Sequence, residues 1–120
     1  MFINFSNHPV EKWSDEQKAA ALAYGPLKEI PFPHVPAEAS AEKIQRLADE
    51  SSKQIAELNP SVVMCQGEFT LTYAIVSRLK AMGITCISAC SNRESVERLL
   101  PNGTVVKEAI FRFVQFREYS

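Results

Sequence analysis

The apolar residues along the chain recur with two different spacings, which separate predicted strands from predicted helices. Short apolar runs of the kind found in strands of a parallel sheet alternate with longer stretches in which apolar positions return every three or four residues. The short runs predict four strands, at residues 2–5, 27–30, 61–65 and 84–90. The longer stretches predict three helices, one in each of the intervals between these strands.

Helix-terminating residues support this order of elements. Ser14, with a glutamine three residues later, can cap the first helix, Ser40 can cap the second, and Gly83 can end the third. A strand–helix pair repeated three times and followed by a fourth strand favours right-handed crossover connections. The sequence therefore predicts an α/β fold, with a Rossmann-like, mainly parallel sheet flanked by helices on both faces.

The last third of the chain changes character. Asn102-Gly103 lies between two strand-like runs, and this dipeptide is the strongest short-range signal of a β-hairpin. The second run, residues 105–116, alternates, which places Phe111 and Phe113 on one side and Phe116 on the other. The pattern predicts a C-terminal antiparallel β-hairpin. Because its arm would be longer than the core strands, we expect a bend or a projection there, at a subunit interface.

Composition and length place limits on the class of protein. The 120 residues fit a single domain, residues 1–120, and 46% hydrophobic with 22% charged residues is ordinary for a soluble globular protein. No apolar stretch approaches the length of a membrane span, and the N-terminus does not read as a signal peptide, so we expect a cytoplasmic protein with no membrane partner. The net charge of −1 argues against binding to duplex nucleic acid.

Three cysteines, Cys65, Cys86 and Cys90, form an odd set without the CxxC spacing of a zinc site. Free cysteine is among the most buried residue types, so we expect buried thiols on neighbouring strands. No metal and no cofactor is expected.

Polar residues follow three of the predicted strands. In open parallel sheets, ligands bind beyond the carboxyl ends of the strands, where the strand order reverses. If the first and third strands are neighbours, these polar segments converge on one rim of the sheet and form a ligand-binding site. The candidate residues are Ser6, Asn7 and His8 after the first strand, Gln66, Gly67, Glu68, Phe69 and Thr70 after the third, and Ser91, Asn92 and Arg93 after the fourth.

The turn after the third strand is the centre of this predicted rim. Gly67 permits close backbone approach, and the N–H groups at the start of the following helix, residues 69–71, can hold a phosphate. The Glu68 carboxylate caps the helix, or it is more than a cap; in either case it would repel a phosphate bound beside it. Gln66 either reads an adenine edge with its amide or ties the turn to a neighbouring strand.

His8 and Arg93 are the remaining candidates for chemistry. His8 is either a structural histidine at a strand end or a group that transfers a proton, and it is the one catalytic candidate. Arg93 is either a phosphate contact or a solvated charge. No GxGxxG, P-loop, GxSxG or HExxH pattern is present, so the residues alone predict a polar rim suited to a nucleotide or a phosphate.

Four stretches of the sequence resemble small CRISPR-associated proteins of the CARF-like kind: NFSNHP (4–9), VVMCQGEFTLTYAIVSRLKAMGI (62–84), CISACSNR (86–93) and FRFVQFREY (111–119). The likeness covers nearly the whole chain in order. The resemblance implies a Rossmann-like homodimer that binds a cyclic oligoadenylate second messenger of type III CRISPR systems across the dimer interface. The expected ligand is cyclic tetra-adenylate.

The resemblance also implies a reaction, because some of these proteins are ring nucleases that end the signal. A ribose 2′-hydroxyl attacks the adjacent phosphate without a metal and leaves a 2′,3′-cyclic phosphate. His8 would then transfer the proton, Arg93 with the helix amides would hold phosphate, and Gln66 or Asn7 would contact adenine or ribose. Alternatives stay open: a sponge or sensor that binds the ring without cleaving it, a dimerising interaction module without nucleotide affinity, and a metabolic mononucleotide enzyme.

Overall fold

The computed structural model describes residues 1–120 and contains a single five-stranded sheet with three α-helices. The four predicted strands, the three predicted helices and the predicted hairpin are all present. The elements are β1 (Phe2–Ser6), α1 (Asp15–Leu22), β2 (Leu27–Pro31), α2 (Ala41–Glu57), β3 (Val62–Gln66), α3 (Phe69–Ala81), β4 (Cys86–Leu99) and β5 (Val105–Glu118), with a short 3-10 turn at Val10–Lys12.

The strands lie in the order β2-β1-β3-β4-β5. β1 is parallel to both β2 and β3, β3 is parallel to β4, and only the β4–β5 pair is antiparallel. The fold is therefore mixed α/β with a mostly parallel sheet, consistent with the predicted Rossmann-like arrangement. The chain leaves β1 in one direction along the sheet and returns to its other side at β3. The strand order consequently reverses between β1 and β3, which is where ligands bind in such sheets.

The local signals that predicted the helix ends act as expected. Ser14 Oγ accepts a hydrogen bond of 3.2 Å from the N–H of Gln17, and Ser40 Oγ accepts one of 3.1 Å from the N–H of Lys43. Gly83 follows α3 with φ +80°, a left-handed conformation that glycine adopts without steric penalty.

The sheet carries a separate hydrophobic core on each face. Strand side chains alternate, so Phe2 and Met64 pack on the face covered by α1, whereas Ile3 and Cys65 pack on the face covered by α2 and α3. The larger core contains the apolar stripes of both α2 and α3. No helix is long and apolar enough to cross a membrane.

The fourth strand differs from its prediction. It continues to Leu99 instead of ending at Cys90, so Ser91, Asn92 and Arg93 lie within β4 and not in a loop after it. Their polarity suggested a strand end, but beyond Cys90 the strand pairs only with β5, and a two-stranded ribbon open to solvent accepts polar side chains. A bulge at Cys90/Ser91 marks the change, and the predicted projection is confirmed: the molecule extends 55 × 38 × 23 Å.

The bulge also corrects the predicted alternation of β5. Cys90 pairs with Gln115 while Ser91 pairs with Phe113, so Val114 is the extra residue and has no partner across the ladder. Phe113 and Phe116 therefore lie on the same face, with ring centroids 4.9 Å apart, although strict alternation predicted opposite faces.

The three cysteines are free, as expected, with Cys65 and Cys86 buried and Cys90 partly buried. Burial raises the pKa of the Cys65 thiol to about 12 and that of the Cys86 thiol to about 11. Both are therefore protonated thiols at neutral pH, which makes them poor nucleophiles.

Candidate functional site

A cleft with two lobes opens at the carboxyl ends of β1 and β3, where the strand order reverses. The first lobe has a volume of about 480 Å³ and extends toward α1 and the hairpin; the second has a volume of about 320 Å³ and extends toward α3 and the C-terminus. Asn7, His8, Gln66 and Ala89 line both lobes. We call this feature the rim cleft.

The loop after β1 is fixed by hydrogen bonds that converge on the backbone of His8. The His8 carbonyl accepts from Asn4 Nδ2 at 2.9 Å and from Trp13 Nε1 at 3.0 Å, and the His8 N–H donates to Ser6 Oγ at 3.1 Å. Ser6 Oγ in turn donates to Asn4 Oδ1 at 2.6 Å. Ser6 is thus a buried structural residue and not a ligand group at the surface. The His8 imidazole is exposed and makes no hydrogen bond within the protein.

Gln66 ties the turn to the neighbouring strand. Its Oε1 accepts a hydrogen bond of 2.6 Å from the N–H of Ala89, which joins β3 to β4 beyond their last ladder pair, Met64 with Ile87. This bond orients the amide and leaves Nε2 as the end that makes no hydrogen bond within the protein. The structure therefore shows the predicted tie to a neighbouring strand, and a bidentate contact to adenine would have to share Oε1 with the Ala89 N–H.

Gly67 is explained by packing. A Cβ at this position would lie 2.5 Å from the ring of Phe32, a buried residue that follows β2 and contacts Phe5. Only glycine fits beneath that ring. The predicted approach of a ligand to the Gly67 backbone is therefore not needed to account for the residue.

Glu68 is the N-cap of α3, and this corrects the prediction of free amides at the helix start. Its carboxylate accepts hydrogen bonds from the N–H of Thr70 at 3.1 Å and of Leu71 at 2.8 Å, and it also accepts from the Thr70 hydroxyl. The Thr70 hydroxyl, followed by the Leu71 N–H, holds the pKa of Glu68 below its ordinary value. An anion at this helix end would meet a carboxylate that already occupies two of the amides.

The structure thus brings together part of the predicted set. Asn7, His8, Gln66 and Ser91 line the first lobe, and Gly67 and Phe69 line the second together with three of them. The other candidates lie elsewhere. Asn92 and Arg93 belong to the projecting part of β4, although Arg93 pairs with Phe111, which does line the first lobe.

A further cavity lies outside the rim cleft. It has a volume of about 710 Å³ and forms an open groove between α2 and α3, which we call the outer groove. Thr70 lines this groove, and so do Phe69 and Tyr73, whose side chains are 89% and 77% exposed. Few polar groups converge in the outer groove, so the rim cleft is the better candidate for recognition of a small polar ligand.

Several residues of the rim cleft were missed by the sequence analysis. Lys12, Trp13, Phe111 and Phe113 line the first lobe, and Thr72, Ser88 and Tyr119 line the second. One sequence signal indicated a hydrogen-bond network near the cleft. Asn4 is a polar residue within the apolar run FINFS, and a buried polar side chain has to find hydrogen-bond partners. The missed residues lie on separate parts of the chain, among them the 3-10 turn, α3 and the β4–β5 pair, whose relative positions depend on the tertiary fold.

Tyr119 closes the second lobe from the C-terminal end of the chain. Its hydroxyl donates to the Cys65 carbonyl at 2.7 Å, and its N–H donates to the Cys86 carbonyl at 2.9 Å. Burial, followed by the neighbouring Cys65, raises the pKa of Tyr119 to about 12, so its phenol is neutral at physiological pH.

The two lobes offer different chemistry. In the first lobe, aromatic rings from Trp13, Phe111 and Phe113 stand beside the amide of Gln17 and the ammonium of Lys12. Flat apolar surfaces with a few amides and a cation suit a heteroaromatic ring that carries a negative group. The second lobe is lined mainly by neutral polar groups. No group of three His, Cys, Asp or Glu side chains is placed to hold a metal ion.

Fold and site together define a small α/β protein with a partly polar cleft at the strand-order reversal of a mostly parallel sheet. The chain belongs to the family described as the uncharacterized protein MJ1673 family, whose match covers residues 1–117. Neither curated proteins nor solved structures gave a match.

Proposed function

We propose that the rim cleft binds a nucleotide and that its ligand is a cyclic oligoadenylate. One observation carries the proposal: three separate segments of the chain line one cavity at the strand-order reversal between β1 and β3. They contribute Asn7 and His8, Gln66, and Ser91. That position is the general ligand site of open α/β sheets. The cyclic nature of the ligand and its adenine base come from the sequence resemblance.

The first lobe supplies surfaces for a base. Phe111 and Phe113 of β5 line this lobe together with Trp13. Stacking of one base on an aromatic side chain is worth about 1–3 kcal/mol and does not depend on which base is stacked. Hydrogen bonds from Asn7 and Gln17 would then orient the stacked base.

Phosphate groups would be held by side-chain cations and not by the start of α3, where Glu68 occupies the amides. Lys12 lines the first lobe, and Arg93 lies opposite Phe111 at its outer edge. A cyclic oligonucleotide is larger than one lobe, so its phosphates would lie along this outer edge while one base enters.

A homodimer completes the proposal. A ring with two-fold symmetry, such as cyclic tetra-adenylate, can present equivalent halves to two copies of the same cleft. The hairpin arm is the candidate dimerisation surface, because Leu99, Val105 and Val114 expose more than half of their side-chain area on it.

Binding without cleavage is the form of the proposal that the geometry favours. Stabilising the charge that develops during phosphodiester cleavage requires oriented donors, and two of the three predicted amides, those of Thr70 and Leu71, are already paired with Glu68. Cleavage is the second candidate, and the unpaired imidazole of His8 favours it. In that reaction the 2′-oxygen forms a bond to phosphorus, the bond to the 5′-oxygen breaks, and His8 accepts the 2′-hydroxyl proton, while a proton from solvent neutralises the leaving oxygen.

Calorimetric titration of the purified chain with cyclic tri-, tetra- and hexa-adenylate tests binding, and chromatography of the recovered ligand tests cleavage. We expect saturable binding of cyclic tetra-adenylate with one ring for two chains. If AMP and all three rings fail to bind, the nucleotide proposal is wrong. A stable dimer in that sample would then favour the alternative of a dimerising interaction module without nucleotide affinity.

The role of His8 is tested separately with His8→Ala. If cleavage occurs, this variant should lose at least about 100-fold in rate, the lower limit expected of a general base. His34→Ala is the matched control, because His34 is also exposed but lies in the loop after β2, outside the rim cleft. Cleavage at the wild-type rate by H8A would remove the catalytic role of His8 and leave the binding proposal intact.

A further inference from the structure

The side chain of Gln17 is a buried amide with almost no partner in the protein. Gln17 lies in the first turn of α1 and is 9% exposed. Its Oε1 accepts no hydrogen bond, and its Nε2 makes a single contact, with Met64 Sδ at 4.0 Å. A thioether sulfur is a weak acceptor, so this long contact does little to replace the water that the amide has lost. Buried polar side chains are ordinarily paired, and this one calls for a specific explanation.

Helix capping does not explain the Gln17 amide. In a capping box the serine side chain accepts from the backbone N–H three residues later, and the glutamine side chain reaches back to the serine N–H. Only the first half forms here. Ser14 Oγ accepts from the Gln17 N–H at 3.2 Å, whereas the Gln17 amide makes no hydrogen bond with the Ser14 backbone. The amide lies instead against the sheet, beside Met64 of β3.

The Gln17 amide oxygen can be reached from the first lobe of the rim cleft, which Gln17 and Met64 both line. Among the buried and half-buried residues, Thr72 Oγ1 is the one side-chain oxygen or nitrogen that is fully buried without a partner. Gln17 Oε1 has no partner either, so it retains accessible surface. The lobe volume of about 480 Å³ lies within the roughly 300–1,000 Å³ of small-molecule pockets.

Three carboxamides line the first lobe, and they differ in how far they are satisfied. The oxygen of Gln66 is paired with the Ala89 N–H, and Asn7 is exposed, so that water can satisfy it. Gln17 combines burial with an unpaired oxygen. It therefore has the most to gain from a hydrogen bond with a ligand, because that bond would replace no competing bond within the protein.

The surroundings of the amide suit the base of a nucleotide. The Trp13 indole N–H donates to the His8 carbonyl at 3.0 Å, which holds this ring in the lining, and Phe111 in the same lining is 68% exposed. Lys12 also lines the lobe, and Arg93 lies across the ladder from Phe111. A nucleotide with its base against these rings and its phosphate toward the cations has a base edge left for an amide.

The unpaired oxygen limits which chemical group can meet Gln17. Oε1 is an acceptor and requires an N–H or O–H, so a phosphate oxygen does not match it. Nε2 has a hydrogen to spare beside the one that faces Met64. A donor next to an acceptor matches both ends of the amide, and adenine offers this pair as its amino group beside N7.

We infer that Gln17 is the residue that selects an amino-bearing base in the first lobe. Its Oε1 accepts from the exocyclic amino group, and its Nε2 donates to the neighbouring ring nitrogen. The inference rests on the proposed function for the presence of a nucleotide in the cleft. It adds the group that is recognised, and it assigns to Gln17 the base reading that was one of two roles predicted for Gln66.

A pair of nucleotides tests the inference in the wild-type chain. Purine riboside 5′-monophosphate has the ring nitrogens and the phosphate of AMP but lacks the amino group. In calorimetric titrations AMP should bind about three- to tenfold more tightly, the range for one neutral hydrogen bond. Nuclear magnetic resonance should show that AMP shifts the side-chain NH2 resonances of Gln17. Equal affinities, or unmoved Gln17 resonances at saturation with AMP, would overturn the inference.

Gln17→Met removes both polar atoms and keeps a side chain of similar length. We expect an unchanged or higher Tm, because no polar atom is left beside Met64, and nearly equal affinities for the two nucleotides. Cyclic tetra-adenylate should bind about threefold more weakly or worse, which supplies the test if AMP alone binds too weakly to titrate. A Q17M chain with wild-type preference for AMP, or with wild-type affinity for the cyclic ligand, would show that Gln17 does not read the base.

Ser14→Ala is the matched control, since it removes the cap from the same helix turn and leaves the carboxamide in place. S14A should lower the Tm but retain the preference for AMP. Lys12→Ala should weaken both nucleotides equally, because both carry the phosphate. Loss of the preference in S14A as well as in Q17M would overturn the role of Gln17 while nucleotide binding stands. Failure of AMP and of every cyclic oligoadenylate to bind would instead overturn the proposed function, and the inference with it.

Discussion

The side-chain oxygen of Gln66 accepts a 2.6 Å hydrogen bond from the backbone N–H of Ala89, and through it β3 stays joined to β4 after their ladder has ended. Both residues line both lobes of the rim cleft. This one contact therefore joins two strands at the floor of the cleft and also fixes which end of the Gln66 amide lacks a partner within the protein.

Gln66→Ala should lower the free energy of unfolding by about 1–3 kcal/mol, because it leaves the partly buried Ala89 N–H without an acceptor. Gln66→Glu should retain most of that stability, since a carboxylate oxygen can take the place of the amide oxygen. Urea denaturation followed by circular dichroism measures both. Gln54→Ala is the control, an exposed glutamine of α2 with no hydrogen bond; a loss for Q66A no larger than for Q54A would contradict the role of the contact.

Gly67→Ala should destabilise the fold by about 1–3 kcal/mol through overpacking, because the new Cβ would lie 2.5 Å from the Phe32 ring. The physical cause is open to a double-mutant cycle with Phe32→Ala. In the F32A background the added methyl group meets empty space, so its effect on the free energy of unfolding should fall by at least half. Additive effects of the two substitutions would show that the close approach to Phe32 is not the reason for glycine at this position.

Glu68→Ala should lower stability at pH 7 by about 1 kcal/mol, the usual effect of removing an N-cap. The hydrogen bonds from Thr70 and Leu71 hold the pKa of Glu68 below its ordinary value of 4.5 in the folded chain. For a carboxyl group with a depressed folded-state pKa, the stabilisation is fully present above pH 4.5 and is lost as the pH falls through the folded-state pKa. The difference between wild type and E68A should therefore shrink progressively below pH 4.5.

Urea denaturation at intervals from pH 7 to pH 3 measures this difference. Glu38→Ala, which removes an exposed carboxylate from the loop before α2, should show no comparable stabilisation to lose. A wild-type advantage over E68A that stays constant across the whole range would mean that the carboxylate does not act as the cap.

The thiol pKa values predict selective labelling. With the pKa of Cys65 near 12 and that of Cys86 near 11, both buried, neither should react at pH 8 in the native chain. Cys90 is only partly buried and should be the one thiol of three that an aromatic disulfide reagent titrates. Unfolding in guanidinium should expose all three, and mass spectrometry of native labelling identifies the site. Rapid native labelling of Cys65 would contradict its burial beneath Tyr119 and α3.

Local signals were sufficient for most of the fold. Ser14 and Ser40 form their caps with the amides three residues onward, and Asn102-Gly103 forms the hairpin turn, because each of these effects depends on neighbours in sequence. The strand-end rule likewise placed Asn7 and Gln66 on one rim. These predictions required only the period of the apolar pattern and the parallel connection of the strands.

The rest of the site depended on pairing at long range. The bulge that makes Val114 an extra residue is fixed by how β4 and β5 align, which sequence alternation does not specify. The reason for Gly67 is Phe32, which lies 35 positions earlier in the chain. Such relationships have no signature in the local sequence.

The hairpin arm yields a prediction about assembly. Leu99 and Val105 pair with each other at the end of the β4–β5 ladder and are 70% and 54% exposed, far from either core. Apolar side chains in that position contact each other across the hairpin but bury little surface within one chain, whereas two arms packed together could contribute to the roughly 800 Å² that each partner buries in a stable interface. We therefore expect the chain to sediment as a dimer at micromolar concentration.

Replacing both tip residues, as L99S/V105S, should weaken the dimer at least tenfold while leaving the Tm of the parallel part of the sheet nearly unchanged, because neither side chain reaches the core. Sedimentation velocity over a concentration series gives the dissociation constant. Met82→Ser is the matched control, since Met82 is similarly exposed but lies at the end of α3, away from the arm. A wild-type chain that sediments as a monomer would contradict the predicted dimer. A dimer that M82S weakens as much as L99S/V105S would place the interface away from the arm, and the exposed aromatic residues of the outer groove, Phe69 and Tyr73, would then be the next surface to vary.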